Sequence, residues 1–222
     1  MSKNYDLILF DFDGTLLNTE PAIVHCMSKA MYESNLGAPS IDLIRSTIGL
    51  RLDEVFIRLG VEQDRVDELI KAYRAIYSQE GPELSVIYSG VDSLLEKLND
   101  AGVKIVITSN KGKEAIIQTL KTFGLSDYVE DILADSDGLP KKPDPSIVND
   151  YVLTKYPTIQ RERCLVVGDT TVDIQFAKNS CVDSCWVSYG FGDPAQCEAL
   201  SPTYTASTVD QVWSIVNEVA FV

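Results

Sequence analysis

The segment Asp11-Phe12-Asp13-Gly14-Thr15 sets two carboxylates two residues apart, directly behind the apolar run Leu7 to Phe10. In an extended chain residues i and i+2 point to one side, so both acids can face the same space, and Gly14 permits the tight turn that follows. Carboxylates this close repel each other, which favours a bound divalent cation or a shared proton. Three other stretches offer complementary groups. Thr108-Ser109-Asn110 supplies hydroxyl and amide donors, expected at the start of a helix, where a phosphate is readily held. Lys142 gives a point positive charge in the stiffened loop Lys141-Lys142-Pro143-Asp144-Pro145. Gly168-Asp169-Thr170-Thr171-Val172-Asp173 brings two further acids, four residues apart and on one face once a helix has begun.

Such carboxylates select a hard cation, most naturally Mg²⁺. A metal, an ammonium and hydroxyl donors together neutralise a phosphoryl group. A carboxylate held in line can then attack phosphorus to form an aspartyl-phosphate. A second carboxyl two residues on can protonate the leaving oxygen and later activate water.

These groups need elements that deliver them to one place. Leu7–Phe10, Val103–Ile107, Cys164–Val167 and Ser184–Val187 are short, nearly continuous apolar runs, suited to strands buried on both faces of a parallel sheet, and Ile132-Leu133-Ala134 is a weaker fifth. Between them lie helical patterns over Val91–Leu98, Lys113–Phe123, Pro145–Tyr156 and Val172–Lys178. Alternation of this kind predicts an α/β fold with a doubly wound parallel sheet, whose ligands sit beyond the carboxyl ends of the strands. Residues 17–86 break the rhythm. They hold no convincing strand and four amphipathic helical stretches, Ala22–Tyr32, Ile41–Ile48, Leu52–Leu59 and Val66–Tyr77, with Gly81-Pro82 and Ser89-Gly90 suited to an exit. The expected organisation is an α/β core of residues 1–16 and 87–222 with an inserted helical domain over 17–86.

In this order and setting the four motifs resemble those of the haloacid dehalogenase superfamily, and in particular its phosphoglycolate phosphatase-like branch with a helical cap. The resemblance spans residues 7 to about 176, and the Asp11-Phe12-Asp13-Gly14-Thr15 element is its most specific part. It implies that Asp11 is the nucleophile, Asp13 the general acid/base, Thr108 the holder of the phosphoryl group and Lys142 the stabiliser of the transition state. It further implies Mg²⁺ bound by the Asp11 carboxylate, the Asp13 main-chain carbonyl and Asp169, with Asp173 in support. Ser109, Asn110 and the insert's Arg51 are candidate substrate contacts, and Lys111 is a further candidate for the pocket lining. The chain departs from the family in having Asn18 where an Asp is usual, which touches the hinge and not the chemistry. The retained Asp13 disfavours carbon–halogen cleavage. Gly49-Leu50-Arg51-Leu52-Asp53-Glu54 and Gly168-Asp169 both lean away from the phosphomutases of the β-phosphoglucomutase type. An inorganic pyrophosphatase of the same superfamily is a further alternative, and a phospho-receiver or binding protein is the reading from outside enzymes.

The chain has 222 residues, 45% of them hydrophobic, with 19 basic against 33 acidic side chains and a net charge of −14. This composition suits a folded chain of one full core plus an insert. The acid surplus disfavours nucleic acid and anionic membrane surfaces as partners, but not a small phosphorylated metabolite met by local cations. No apolar run reaches the roughly 20 residues of a membrane span, and no signal-like segment opens the sequence. The five cysteines form no CxxC pair and the chain has a single histidine, His25. Reduced thiols and a cytoplasmic location are the expectation.

Overall fold

The computed structural model describes residues 5–135, 138 and 140–217. Its centre is a six-stranded sheet in the order β5-β4-β1-β6-β7-β8. The strands are β1 (Leu7–Phe10), β4 (Lys104–Gly112), β5 (Asp131–Asp135), β6 (Cys164–Gly168), β7 (Asp183–Val187) and β8 (Tyr204–Ala206), and every neighbouring pair is parallel. β1 is fully buried, with Ile8 and Phe10 in the apolar cluster on one face and Leu7 and Leu9 in that on the other. Burial on both faces is why these strands read as unbroken apolar runs. From β1 the connections build outwards to β4 and β5, then return to β6 on its other side. The order reverses next to β1, and the crevice created there collects the polar strand ends.

Between β1 and β4 the chain forms β2 (Leu17–Asn18), the helices α1 (Glu20–Glu33), α2 (Ile41–Arg45), α3 (Leu52–Arg58) and α4 (Val66–Leu84), then β3 (Val86–Ile87) and α5 (Val91–Asp100). Helices α1 to α4 bury a cluster of their own, including Met27, Phe56, Leu69 and Tyr77. α5 packs Leu94, Leu95 and Leu98 onto the sheet. After β4 come α6 (Lys113–Thr122), a helical stretch ending in α7 (Leu153–Lys155), α8 (Thr171–Asn179), α9 (Pro194–Ala199) and α10 (Val209–Val216).

Four expectations need correction. First, residues 17–86 do contain a strand: Leu17–Asn18 pairs antiparallel with Val86–Ile87, a ribbon of two residues a side that no periodicity could reveal. Second, α4 does not stop at Tyr77 but runs through Gly81-Pro82 to Leu84. A Cβ on residue 81 would lie 2.6 Å from the Tyr77 ring, so Gly81 serves close packing, and the Ser85 hydroxyl donates to the Gly81 carbonyl at 2.9 Å near the helix end. Third, Ile147–Val152 winds as a π-helix. Fourth, Thr108-Ser109-Asn110 lies within β4, because a register shift between Ser109 and Gly112 carries the strand on to Gly112, and α6 starts only at Lys113.

Candidate active site

Asp11 and Thr108 are the residues immediately after Phe10 and Ile107, which are register partners on β1 and β4. They therefore emerge side by side at the carboxyl edge of the sheet. Lys142 reaches the same point from the loop before the π-helix, and a cis Lys142–Pro143 bond follows it. Its Nζ donates to Asp11 Oδ1 at 2.7 Å and to Asp173 Oδ1 at 2.6 Å. Burial works against the charge on Lys142, yet Asp11 and Asp173 outweigh it and the pKa is raised. Burial pushes Asp11 up to about 7, against the pull of Lys142 and with the added repulsion of Asp173 and Asp13.

Asp173 is the third residue of α8 and folds back onto its start, accepting from the Thr170 backbone N–H at 3.0 Å and hydroxyl at 2.8 Å. This is a helix-capping arrangement, and it fixes the carboxylate that Lys142 touches. Asp169, fully buried, is held from several sides: Thr15 donates to Oδ1 at 3.1 Å, the Phe191 N–H to Oδ2 at 2.7 Å, and the Trp186 indole to its carbonyl at 2.9 Å. Gly190 lies so close that a Cβ there would meet the Asp169 Cβ at 2.3 Å. Burial, then the charges of Asp11 and Asp173, raise the Asp169 pKa well above the usual carboxylate value. Thr15, Trp186 and the Gly190-Phe191-Gly192 turn were not anticipated as partners of Asp169. The Gly-x-Gly after an apolar run was the available signal.

Asp11, Asp169 and Asp173 each place a carboxylate oxygen within 4.8 Å of the others. Three buried acids face one ammonium, so the cluster has a negative excess and hard oxygen donors, the chemistry that suits Mg²⁺. The Asp13 carboxylate points elsewhere. It accepts from Lys111 Nζ at 3.0 and 3.3 Å, and the same ammonium sits 4.0 Å from the centre of the Tyr77 ring on α4. Burial opposes the Lys111 charge, but Asp13 and the nearby tyrosines Tyr77 and Tyr73 leave its pKa raised.

The Thr108 hydroxyl is fully buried with no hydrogen-bond partner, as is Asn110 Oδ1. Orphaned buried polar atoms are costly, and a phosphoryl group beside Asp11 would give the hydroxyl an acceptor. Asn110 Nδ2 donates to the carbonyls of Gly49 at 3.3 Å and Lys142 at 3.4 Å. A cavity of about 250 Å³ opens beside the acids, between the sheet edge and α1, α3 and α4, and Asp11, Asp13, Ser109, Asn110 and Lys111 all line it. Arg51 does not. Half exposed, it forms a two-pronged pair with Asp53, at 3.1 and 2.8 Å, and borders the adjoining recess with Lys141 and Lys142. Arg51→Ala is therefore expected to change kcat/KM by no more than about threefold, in keeping with an exposed ion pair, as measured by phosphate release.

The family model described as haloacid dehalogenase-like hydrolase matches residues 8–187. The chain belongs to that family. The haloacid dehalogenase-like resemblance drawn from the motifs is borne out, and so is the doubly wound α/β sheet. This haloacid dehalogenase-like hydrolase is 30% identical to a phosphoglycolate phosphatase from Vibrio vulnificus, over 95% of both chains. It is 28% identical to the tyrosine-protein kinase PtkA of Mycobacterium tuberculosis, over 93% of this chain and 70% of that protein. A crystal structure from Bacteroides fragilis, described as haloacid dehalogenase-like, superposes with a TM-score of 0.86 at 26% identity, covering 94% of this chain and 100% of that one.

Proposed function

We propose that the chain is a Mg²⁺-dependent phosphomonoester hydrolase acting on a small phosphorylated metabolite through an aspartyl-phosphate on Asp11. The observation that carries this reading is the Asp11 carboxylate, gripped by Lys142 inside a buried three-acid cluster, next in register to the strand that carries Thr108. Asp11 attacks phosphorus, so that an Asp11 O–P bond forms as the ester P–O bond breaks. Asp13 passes its proton to the departing alkoxide, then takes one from the water that displaces Asp11 and frees inorganic phosphate. Thr108, with Ser109 and Asn110 beside it, orients the phosphoryl oxygens, and Lys142 balances the charge that builds on them. Asp11, Asp169 and the Asp13 carbonyl would hold the metal, which supplies charge neutralisation. Asp173, both of whose oxygens are engaged by Lys142 and Thr170, takes the supporting position.

Residues 17–86 form a cap that excludes bulk water, on a core of residues 1–16 and 87–222. Support comes from the separate apolar cluster of α1 to α4 and from the single two-residue ribbon through which they leave and rejoin the sheet. The relatives named phosphoglycolate phosphatase make 2-phosphoglycolate the first substrate to try. The kinase-named relative raises a second reading, transfer of the phosphoryl group to a hydroxyl other than water. The five thiols are free, four of them buried, which agrees with a cytoplasmic setting. No helix among the described residues is long and apolar enough to cross a membrane.

The test is release of inorganic phosphate from a set of phosphomonoesters. Activity is expected with Mg²⁺, to fall at least about 100-fold in EDTA, in line with the loss of metal charge stabilisation, and to return when the metal is added back. Turnover indifferent to EDTA would remove the metal from the scheme, and stoichiometric transfer to an acceptor without phosphate release would favour the second reading.

A further inference from the structure

The cavity beside Asp11 is large for a phosphoryl group alone, and its far walls are apolar. Ile23 and Met27 of α1, Leu52 and Val55 of α3, and Tyr73 and Tyr77 of α4 line it, the two tyrosine rings being tilted with their centres 5.7 Å apart. An apolar cavity of about 150 Å³ is enough to take up benzene, so about 250 Å³ has room for a six-membered ring ahead of a phosphoryl group at the acids.

The cations on the wall are already paired. Lys111 is bound to Asp13 at 3.0 Å and Arg74 to Asp135 at 2.5 Å, while Glu114 adds a negative charge to the lining. Arg51, the residue that could have clasped a second anion, is outside and engaged by Asp53. A carboxylate on the organic half of the substrate would thus enter a mainly apolar chamber and, on losing its hydration, would have to compete for its two lining cations with the acids that already hold them, Asp13 on Lys111 and, on Arg74, an Asp135 shared with Lys141 at 2.7 Å.

We propose that the phosphoester this site prefers carries an uncharged, mainly apolar alcohol, of about the bulk of a single ring, and that a second anionic group on the substrate is disfavoured. This rests on the hydrolase reading above and sharpens its substrate. The leaving alcohol packs against α1, α3 and α4, so those helices select by shape and lack of charge while the sheet edge does the chemistry.

The full-length protein with Mg²⁺ is assayed for phosphate release from benzyl phosphate, 2-phosphoglycolate and acetyl phosphate, the last having almost no organic half to select. kcat/KM for benzyl phosphate is expected to exceed that for 2-phosphoglycolate at least about tenfold, the scale on which apolar pockets discriminate. If acetyl phosphate is turned over but 2-phosphoglycolate equals or beats benzyl phosphate, the substrate inference is overturned and the hydrolase reading stands. If none of the three releases phosphate, both fall. Leu52→Arg places a new cation on the half-buried part of the wall. It is expected to lower the benzyl-to-glycolate ratio at least about tenfold, and an unchanged ratio in a variant with wild-type circular dichroism would also overturn the inference.

Discussion

Asp11→Asn is expected to abolish phosphate release while leaving the chain folded. The amide has the shape of the carboxylate but no nucleophilic oxygen, and loss of a covalent nucleophile costs a factor of about 10⁴ or more in kcat. Lys142 keeps a partner in Asp173, so the ammonium is not abandoned. The fold should even gain in the absence of metal, and the sign follows from the Asp11 pKa, raised from 3.8 to about 7. An acid whose pKa is raised by folding withholds stability as it ionises. The variant and wild type should therefore melt alike below about pH 4, and the variant's advantage should grow as pH rises towards 7. Phosphate release and thermal melts in EDTA across that range check both halves. Activity above about 1% of wild type would move the nucleophile to another residue.

Lys142→Met should damage both function and fold. Its ammonium bridges Asp11 and Asp173 from a buried position. Methionine keeps the stem and removes the charge, leaving the three acids of the cluster without their cation. Breaking a buried pair from one side costs about 3–5 kcal/mol, to be read from urea melts. Removing a donor aimed at the charge that develops on the phosphoryl oxygens lowers kcat by about 10²–10³. Mg²⁺ should restore part of the stability, since it too would balance carboxylates, but not the rate, because the donor lost with the Lys142 ammonium is not replaced. A variant with wild-type kcat would show that Lys142 is structural only.

What the sequence made legible follows from how local each signal is. β1, β4, β6 and β7 were visible because strands buried on both faces must be apolar throughout, and β5 was weaker because its residues are mostly half-buried. β8 has only three residues, one of them exposed, at the sheet's edge, and α9 and α10 beside it carried no motif to draw attention to them. Asp11 and Asp169 could be named in advance since each directly follows a strand, Asp173 since it stands in the first turn of a helix, and Lys142 since it stands in the proline-flanked loop before one. Their partners could not. Lys111 meets Asp13 across 98 residues of sequence, and Thr15 meets Asp169 across 154, contacts that exist only once the sheet has assembled. Arg51 shows the converse. As a cation in the insert it suited an anion, but a neighbour two residues away claims it, and no rule of spacing decides between a solvent-side acid and a substrate.

The ribbon of Leu17–Asn18 with Val86–Ile87 has a mechanical meaning. Asp13 bridges to Leu17, and the Gly14 N–H donates to the Leu17 carbonyl at 2.8 Å. The side chain of Asp13 is meanwhile tied through Lys111 to Tyr77, well up α4. Any swing of the four helices about the ribbon would tug this one acid by its backbone at the pivot and by its carboxylate at the far end of the lever. In the reaction proposed above, opening the chamber and aiming the proton would then be geared together through Lys111, near the end of β4.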